Sequence, residues 1–352
     1  MKLLILAALF GLSSAICDFT DCHSCAGQIA EQNVAGFGLN GTCYWNLETG
    51  QCAFASILLP GNINVVPQAL SCPAPYPVFR YTDEFGRYIV LPFSMASNLE
   101  GVNSIRKCPA ARIPNVQVLK QYTVSCDPLN ATCSATMFLH PDASAVIVAF
   151  RGSKGIEQAD TELFQLLFSN PQPGTLYGGK VFEYFANATD ILWNSGLSDD
   201  LRAQFKIHPT FQLWSIGHSL GGSLATLAAN AAVRTGVITR DRVVVATMGE
   251  PRTGDYDFAV DVSTNVPQAY RIIIQQDLVT KMPLRALLQN TNVYHNNFEV
   301  WYNNDMSVGS SFLINNRADD YSGSNIINSG SGFPHNFYFA VDMDNYVKNF
   351  CF

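Results

Sequence analysis

The residues best suited to covalent chemistry in this sequence are Gly217-His218-Ser219-Leu220-Gly221-Gly222. A serine hydroxyl is a weak nucleophile until a neighbouring base takes its proton. It also needs N–H donors aimed where negative charge develops on the attacked carbonyl. A serine two residues from glycines on each side suits a tight turn that exposes Oγ. The backbone N–H of Leu220, next after the nucleophile, is then one expected oxyanion donor. Phe150-Arg151-Gly152-Ser153 offers a second through the Ser153 N–H or hydroxyl.

The base must be one of six histidines. His23 stands among crowded cysteines, His140 and His208 each precede proline, and His218 adjoins the nucleophile and is read as pointing elsewhere. His295 and His335 remain open. His335 follows a Gly/Ser-rich stretch and Phe333-Pro334, the composition of a loop. His295 opens an alternating run through Tyr302, with Glu299 placed to hold its ring. In the order serine, acid, histidine, Asp277 follows an apolar strand, whereas Asp255, Asp257 and Asp261 follow the loop Gly249–Gly254 as cap or surface residues.

These groups need a frame. Ala145–Phe150 (AVIVAF), Phe211–Ile216, Val243–Met248 and Arg271–Ile274 read as buried strands. Leu220–Val233 reads as an Ala-rich helix, and Phe182–Phe205 as helical with Gly and Ser interruptions. Such alternation predicts an α/β domain with a largely parallel central sheet flanked by helices. A strand entering the serine motif and a helix leaving it is the setting a nucleophile turn requires.

GHSLGG at 217–222, FRGS at 150–153, MGEPRTGDYDFA at 248–259, YRI at 270–272 followed by Asp277, YHNNFEVWY at 294–302 and HNFYF at 335–339 together resemble the class 3, or fungal-type, triacylglycerol lipases. The resemblance covers roughly residues 85–352. It implies an α/β-hydrolase fold, with Ser219 as nucleophile, Asp277 as acid, His335 as base and Ser153 and Leu220 as oxyanion donors. His295 matches a family position outside the triad. The resemblance also implies bridges Cys108–Cys351 and Cys126–Cys133, and no metal or organic cofactor. Glu250 stands where the family often has a small residue, and the cysteine-rich front end is an addition.

Between Gly155 and Gly174, Leu163, Phe164, Leu167 and Phe168 fall on one helical stripe. In the resembling lipases this position is a lid that exposes apolar surface at a lipid interface. The implied partner is a lipid ester at an interface. An esterase for soluble substrates, a phospholipase and a non-catalytic lipid-binding relative are the rival readings; the apolar stripe and the complete triad weigh against the first and last.

The 352 residues are 48% hydrophobic and 14% charged, with a net charge of −7. No basic stripe offers a footprint for nucleic acid. Lys2, the apolar run Leu3–Leu12 and Ser13-Ser14-Ala15 read as an export signal over 1–15, about half the length of a transmembrane helix. The expected destination is extracellular. All ten cysteines lie beyond it, as disulfides in an exported chain would. Cys22-His23-Ser24-Cys25 has zinc-like spacing, but no second pair follows at a matching distance. Six cysteines define a module over 16–72, and Pro73 opens a linker over 73–84 before the domain at 85–352. Sequons at Asn40, Asn130 and Asn187 are candidate glycosylation sites.

Overall fold

The computed structural model describes residues 17–34, 37–58, 62–110, 113–126, 132–153, 170–284, 292–326 and 333–351. The leader, Asn130 and the stripe residues Leu163, Phe164, Leu167 and Phe168 lie outside the described residues. Asn40 and Asn187 are exposed.

Two compact units divide the chain. The first runs to Pro75 and includes the distant segment Asn316–Ile326. Its sheet comprises β1 (Ile29–Val34), β2 (Phe37–Asn46), β3 (Gln51–Ala55) and β4 (Val65–Val66), with β2 pairing antiparallel to each of the others. So short a unit has few large apolar side chains to bury. Bridges Cys17–Cys43, Cys22–Cys72 and Cys25–Cys52 supply the shortfall, with Cys17, Cys25 and Cys43 packed at its centre. Their sequence separations of 26, 50 and 27 each correspond to about 3.5–4 kcal/mol of chain entropy removed from the unfolded state.

The segment 316–326 joins this unit through backbone and side chain. Ala74 N–H donates to Asn316 O at 3.0 Å, Asn316 Nδ2 to Ala74 O at 2.7 Å, and Ser71 Oγ to Ala318 O at 2.7 Å. The sequence reading differs here, since it left 316–326 within a continuous domain. The stretch 73–84, expected as a linker, is also tied down: Phe79 N–H donates to Gln268 Oε1 at 3.0 Å, and a helix begins at Asp83.

The second unit holds an eight-stranded sheet. In chain order these are β5 (Gln117–Ser125), β6 (Thr132–His140), β7 (Ala145–Phe150), β8 (Gln212–His218), β9 (Val243–Met248), β10 (Ala269–Ile274), β11 (Glu299–Tyr302) and β12 (Leu313–Asn315), and they lie side by side in that same order. Pairings from β7 to β11 are parallel; β5, β6 and β12 add antiparallel edges. Every residue of β7, β9 and β10 is buried. Covered on both faces, a parallel strand reads as an unbroken apolar run rather than an alternating one.

Alternation on β8 shows what covers each face. Ser215 Oγ donates to Ala225 O, at 2.8 Å, on the helix Leu220–Arg234. Trp214 points the other way and meets Phe85 edge to face, ring centroids 5.1 Å apart. The Leu220–Arg234 helix buries almost its whole length, and its alanines let it lie close to the strands. Cys108–Cys351 and Cys126–Cys133 are bridged in this unit. Among the described residues no helix is long and apolar enough to cross a membrane.

Candidate active site

Where β8 ends, the chain turns at Ser219 and enters the Leu220–Arg234 helix. A β-carbon on Gly217 would lie 2.0 Å from Gly221 O, and one on Gly221 would lie 2.3 Å from Phe150 O. Neither position therefore accepts a side chain, and this is why small residues bracket the serine. Ser219 adopts φ 56° and ψ −128°. That left-handed geometry in a residue with a β-carbon costs about 1–3 kcal/mol. The turn is held by Ser219 N–H donating to Met248 O at 2.8 Å and Gly222 N–H donating to Ser219 O at 2.9 Å. As a result Ser219 is half-buried between buried His218 and Leu220. The N–H of Leu220, the first of the helix, has no acceptor within the helical ladder and lies at the positive end of its dipole.

Asp277 lies just beyond β10 and is fully buried. Its Oδ2 accepts from His335 Nδ1 at 2.8 Å and from Tyr338 OH at 2.7 Å; its Oδ1 accepts from Val279 N–H at 3.0 Å. Burial alone would push this carboxyl up. The adjoining His335 ring and the His335 and Tyr338 hydrogen bonds outweigh it and hold the carboxyl below its ordinary range. His335 stands on the short turn Phe333–Asn336. Since its Nδ1 is committed to the carboxylate, Nε2 is the nitrogen left for a proton acceptor's work.

The other acidic candidates do different jobs. Asp255 caps the helix Tyr256–Asn265, accepting from Phe258 N–H at 2.9 Å. Asp261 accepts from Asn230 Nδ2 at 2.7 Å and pairs with Arg234 at 2.6 Å. Asp257 is exposed. His295 is buried, and its Nε2 donates to Thr280 O at 2.7 Å. Thr280 Oγ1 donates in turn to Asp277 O at 2.8 Å. His295 thus braces the turn that carries Asp277, while His335 meets the carboxylate itself.

The serine at the strained strand–helix turn and the buried aspartate after it lie inside a stretch that matches a known family; the histidine bonded to that aspartate lies beyond it. Residues 147–287 match the family described as Lipase (class 3). This match and the relatives below support a place among the class 3 lipases for the chain. It is 26% identical over 266 residues to Lipase ZK262.3 of Caenorhabditis elegans, covering 67% of this chain and 73% of that one. It is 32% identical over 143 residues to a lipase of Rhizomucor miehei, covering 40% and 38%. Among solved structures, a lipase from Rhizopus microsporus var. chinensis aligns with TM-score 0.63 at 20% identity, covering 81% of this chain and 96% of that one. A triacylglycerol lipase whose structure was described as having a serine protease triad aligns with TM-score 0.61 at 20% identity, covering 75% and 97%. These likenesses give the chain the α/β-hydrolase fold, and the family match with the lipase relatives supports a carboxylic ester hydrolase of lipase type.

The end of β7 approaches the serine turn closely. A β-carbon on Gly152 would lie 3.0 Å from His218 O. Arg151 N–H donates to Ser134 O at 2.9 Å and Arg151 Nη2 to Thr132 Oγ1 at 2.8 Å, which fixes the strand end just before half-buried Ser153.

Four residues around the site escaped the sequence reading. Tyr338, in the HNFYF stretch, supplies a donor to Asp277. Gly249 has φ +62°, and a β-carbon there would lie 2.7 Å from His335 Cε1 and 3.1 Å from Asp277 Oδ2. Its signal was a glycine directly after a strand, which is too common to single out. His218, read as pointing elsewhere, brings its Nε2 within 2.9 Å of His335 O. Glu250, noted only as unusual, is buried beneath the serine turn, its Cβ 3.1 Å from a β-carbon built on Gly222. It accepts from Thr247 Oγ1 at 2.7 Å and Thr253 Oγ1 at 3.2 Å, and burial pushes its carboxyl up despite those bonds.

Proposed function

We propose that the protein hydrolyses carboxylic esters of lipids, of the triacylglycerol class, through an acyl-enzyme on Ser219. His335 Nε2 takes the Ser219 proton as Oγ attacks the ester carbonyl. Asp277 orients the ring and stabilises its positive form. The N–H groups of Leu220 and Ser153, with the Ser153 hydroxyl, stabilise the oxyanion. The alcohol leaves with a proton from His335, and water then attacks the acyl group with His335 again as base. The observation that carries this reading is the buried Asp277–His335 pair, 2.8 Å apart, in a chain whose Ser219 is presented at a strained strand–helix turn. The chemistry needs no metal or organic cofactor.

Lipid as substrate is supported by the family and by the apolar residues Leu163, Phe164, Leu167 and Phe168, which the reading assigns to a lid over the site. The amino-terminal apolar run supports export from the cell, and bridging of all ten cysteines fits an oxidising destination.

The test has two arms. Ser219→Ala should lower ester hydrolysis by roughly a million-fold in folded protein; activity within tenfold of the parent overturns the nucleophile. Rates on tributyrin and on a long-chain triglyceride, measured below and above their solubility limits, should rise sharply once an interface forms. A rate that saturates in solution and ignores the interface points instead to an esterase of soluble substrates.

A further inference from the structure

His218 closes a gap that the Asp277–His335 pair leaves open. Asp277 fixes how the His335 ring rotates, through Nδ1. It does not fix how far the ring stands from Ser219, because nucleophile and base sit on separate elements, the β8 turn and the Phe333–Asn336 turn. Among the described residues, a hydrogen bond spans these two elements. His218 Nε2 lies 2.9 Å from the main-chain carbonyl oxygen of His335, 117 positions away in the chain. A carbonyl oxygen only accepts, so Nε2 of His218 carries the proton and donates.

We propose that His218 is a positioning residue for the base: its Nε2–H struts the main chain of His335 against the serine turn and so sets the separation of Ser219 and His335. The inference rests on the reading of Ser219 and His335 given above. His218 immediately precedes Ser219, so its backbone moves with the nucleophile. The bonded carbonyl belongs to His335 itself, so it moves with the base. A hydrogen bond from the side chain of the residue beside the nucleophile therefore holds the main chain of the base. The rings also pack, with centroids 4.6 Å apart and tilted by 36°, and Tyr338 closes against the His218 ring at 5.8 Å. His218 is buried, and burial, reinforced by the neighbouring His335, lowers its pKa to about 3. It thus stays neutral beside a ring that becomes positive in each half-reaction. A charged partner there would repel the imidazolium that catalysis forms.

The strut acts on geometry during turnover and not on ground-state binding, so its loss should appear in kcat. His218→Phe keeps a flat ring and removes the donor. On a soluble short-chain ester, kcat should fall by about 10- to 100-fold, the size of effect that an ångström-scale misplacement brings, with KM changed less than about threefold. The labelling rate of Ser219 by an organophosphate should fall in parallel. His218→Gln places an amide N–H near the position of Nε2 and should restore kcat to within about fivefold of the parent. If Phe overfills the site and the protein does not fold, His218→Leu carries the same comparison. A donor-less variant that folds and keeps kcat within twofold overturns the proposal. So does a loss equal in the Gln variant and the donor-less one, which would make His218 a packing residue. Ser219→Ala separates the two levels: if it is inactive while His218→Phe is unimpaired, only the strut fails, and if it stays active the catalytic reading itself fails.

Discussion

Gly249 and His335 meet so closely that the first must lack a side chain: a β-carbon on Gly249 would lie 2.7 Å from Cε1 and 2.9 Å from Nδ1 of the imidazole. The glycine follows β9 with φ +62°, so the backbone as well as the contact excludes other residues. Gly249→Ala should therefore displace the imidazole from Asp277. The expected result is a fall in kcat of about 100-fold with about 1–3 kcal/mol lost in stability, read by kinetics and thermal unfolding. Unchanged kcat in a folded Gly249→Ala protein would show that the pair tolerates the shift.

His335 and His295 are both buried or half-buried and both bonded near Asp277, but at different atoms. His335 meets the carboxylate, and His295 meets the main chain at Thr280. His335→Ala is expected to abolish turnover and organophosphate labelling of Ser219 while leaving the protein folded. His295→Ala leaves the Thr280 carbonyl without that donor, a loss of about 1–3 kcal/mol, and the protein that folds should still label. Loss of labelling in well-folded His295→Ala protein would reverse the two assignments.

Glu250 gives a pH signature of stability. Burial raises its carboxyl pKa in the folded protein above the ordinary 4.5. The folded state therefore holds this proton more tightly than the unfolded chain does. Its contribution to stability is complete below the unfolded pKa and is lost as pH rises through the folded value. Glu250→Gln keeps a side chain able to bond Thr247 and Thr253 but never ionises. Its Tm relative to the parent should rise progressively between pH 4 and pH 8. A constant difference across that range would mean that Glu250 does not change protonation on folding.

In the cysteine-rich unit, Ser71 and Ala74 hold Asn316 and Ala318. The Cys22–Cys72 bridge anchors the strand of chain that carries them. Replacing both cysteines by alanine removes about 4 kcal/mol of chain constraint. Limited proteolysis should then cut first within 17–75 and 316–326, with the β5–β12 sheet surviving longer. Cleavage that begins in the sheet instead would contradict the division of the chain into these two units.

The legible part of this protein is local. β7 and β9 were read with their observed limits, and the helix after Ser219 within one residue, because strands buried on both faces and an Ala-rich helix write continuous signals. The Gly-x-Ser-x-Gly spacing announced a turn because the contact of Gly217 with Gly221 lies within five residues, although Gly221 also meets Phe150 on the neighbouring strand. Asp277 was visible as a carboxylate at a strand's end. The choice between His335 and His295 was different. Local surroundings left both open and the family resemblance implied His335; packing then brings the His335 ring to the carboxylate 58 residues away. Tyr338, Gly249 and His218 likewise derive their places from contacts between distant segments, which no local pattern encodes. The return of 316–326 to the cysteine-rich unit is of the same kind, since its hydrogen bonds join residues more than 240 positions apart. Sequence by itself determined the four buried strands β7 to β10, the glycine-bounded turn and the types of residue able to react. Tertiary structure alone decided which of them meet, because a distance of about 3 Å across a folded chain depends on every element between the two groups.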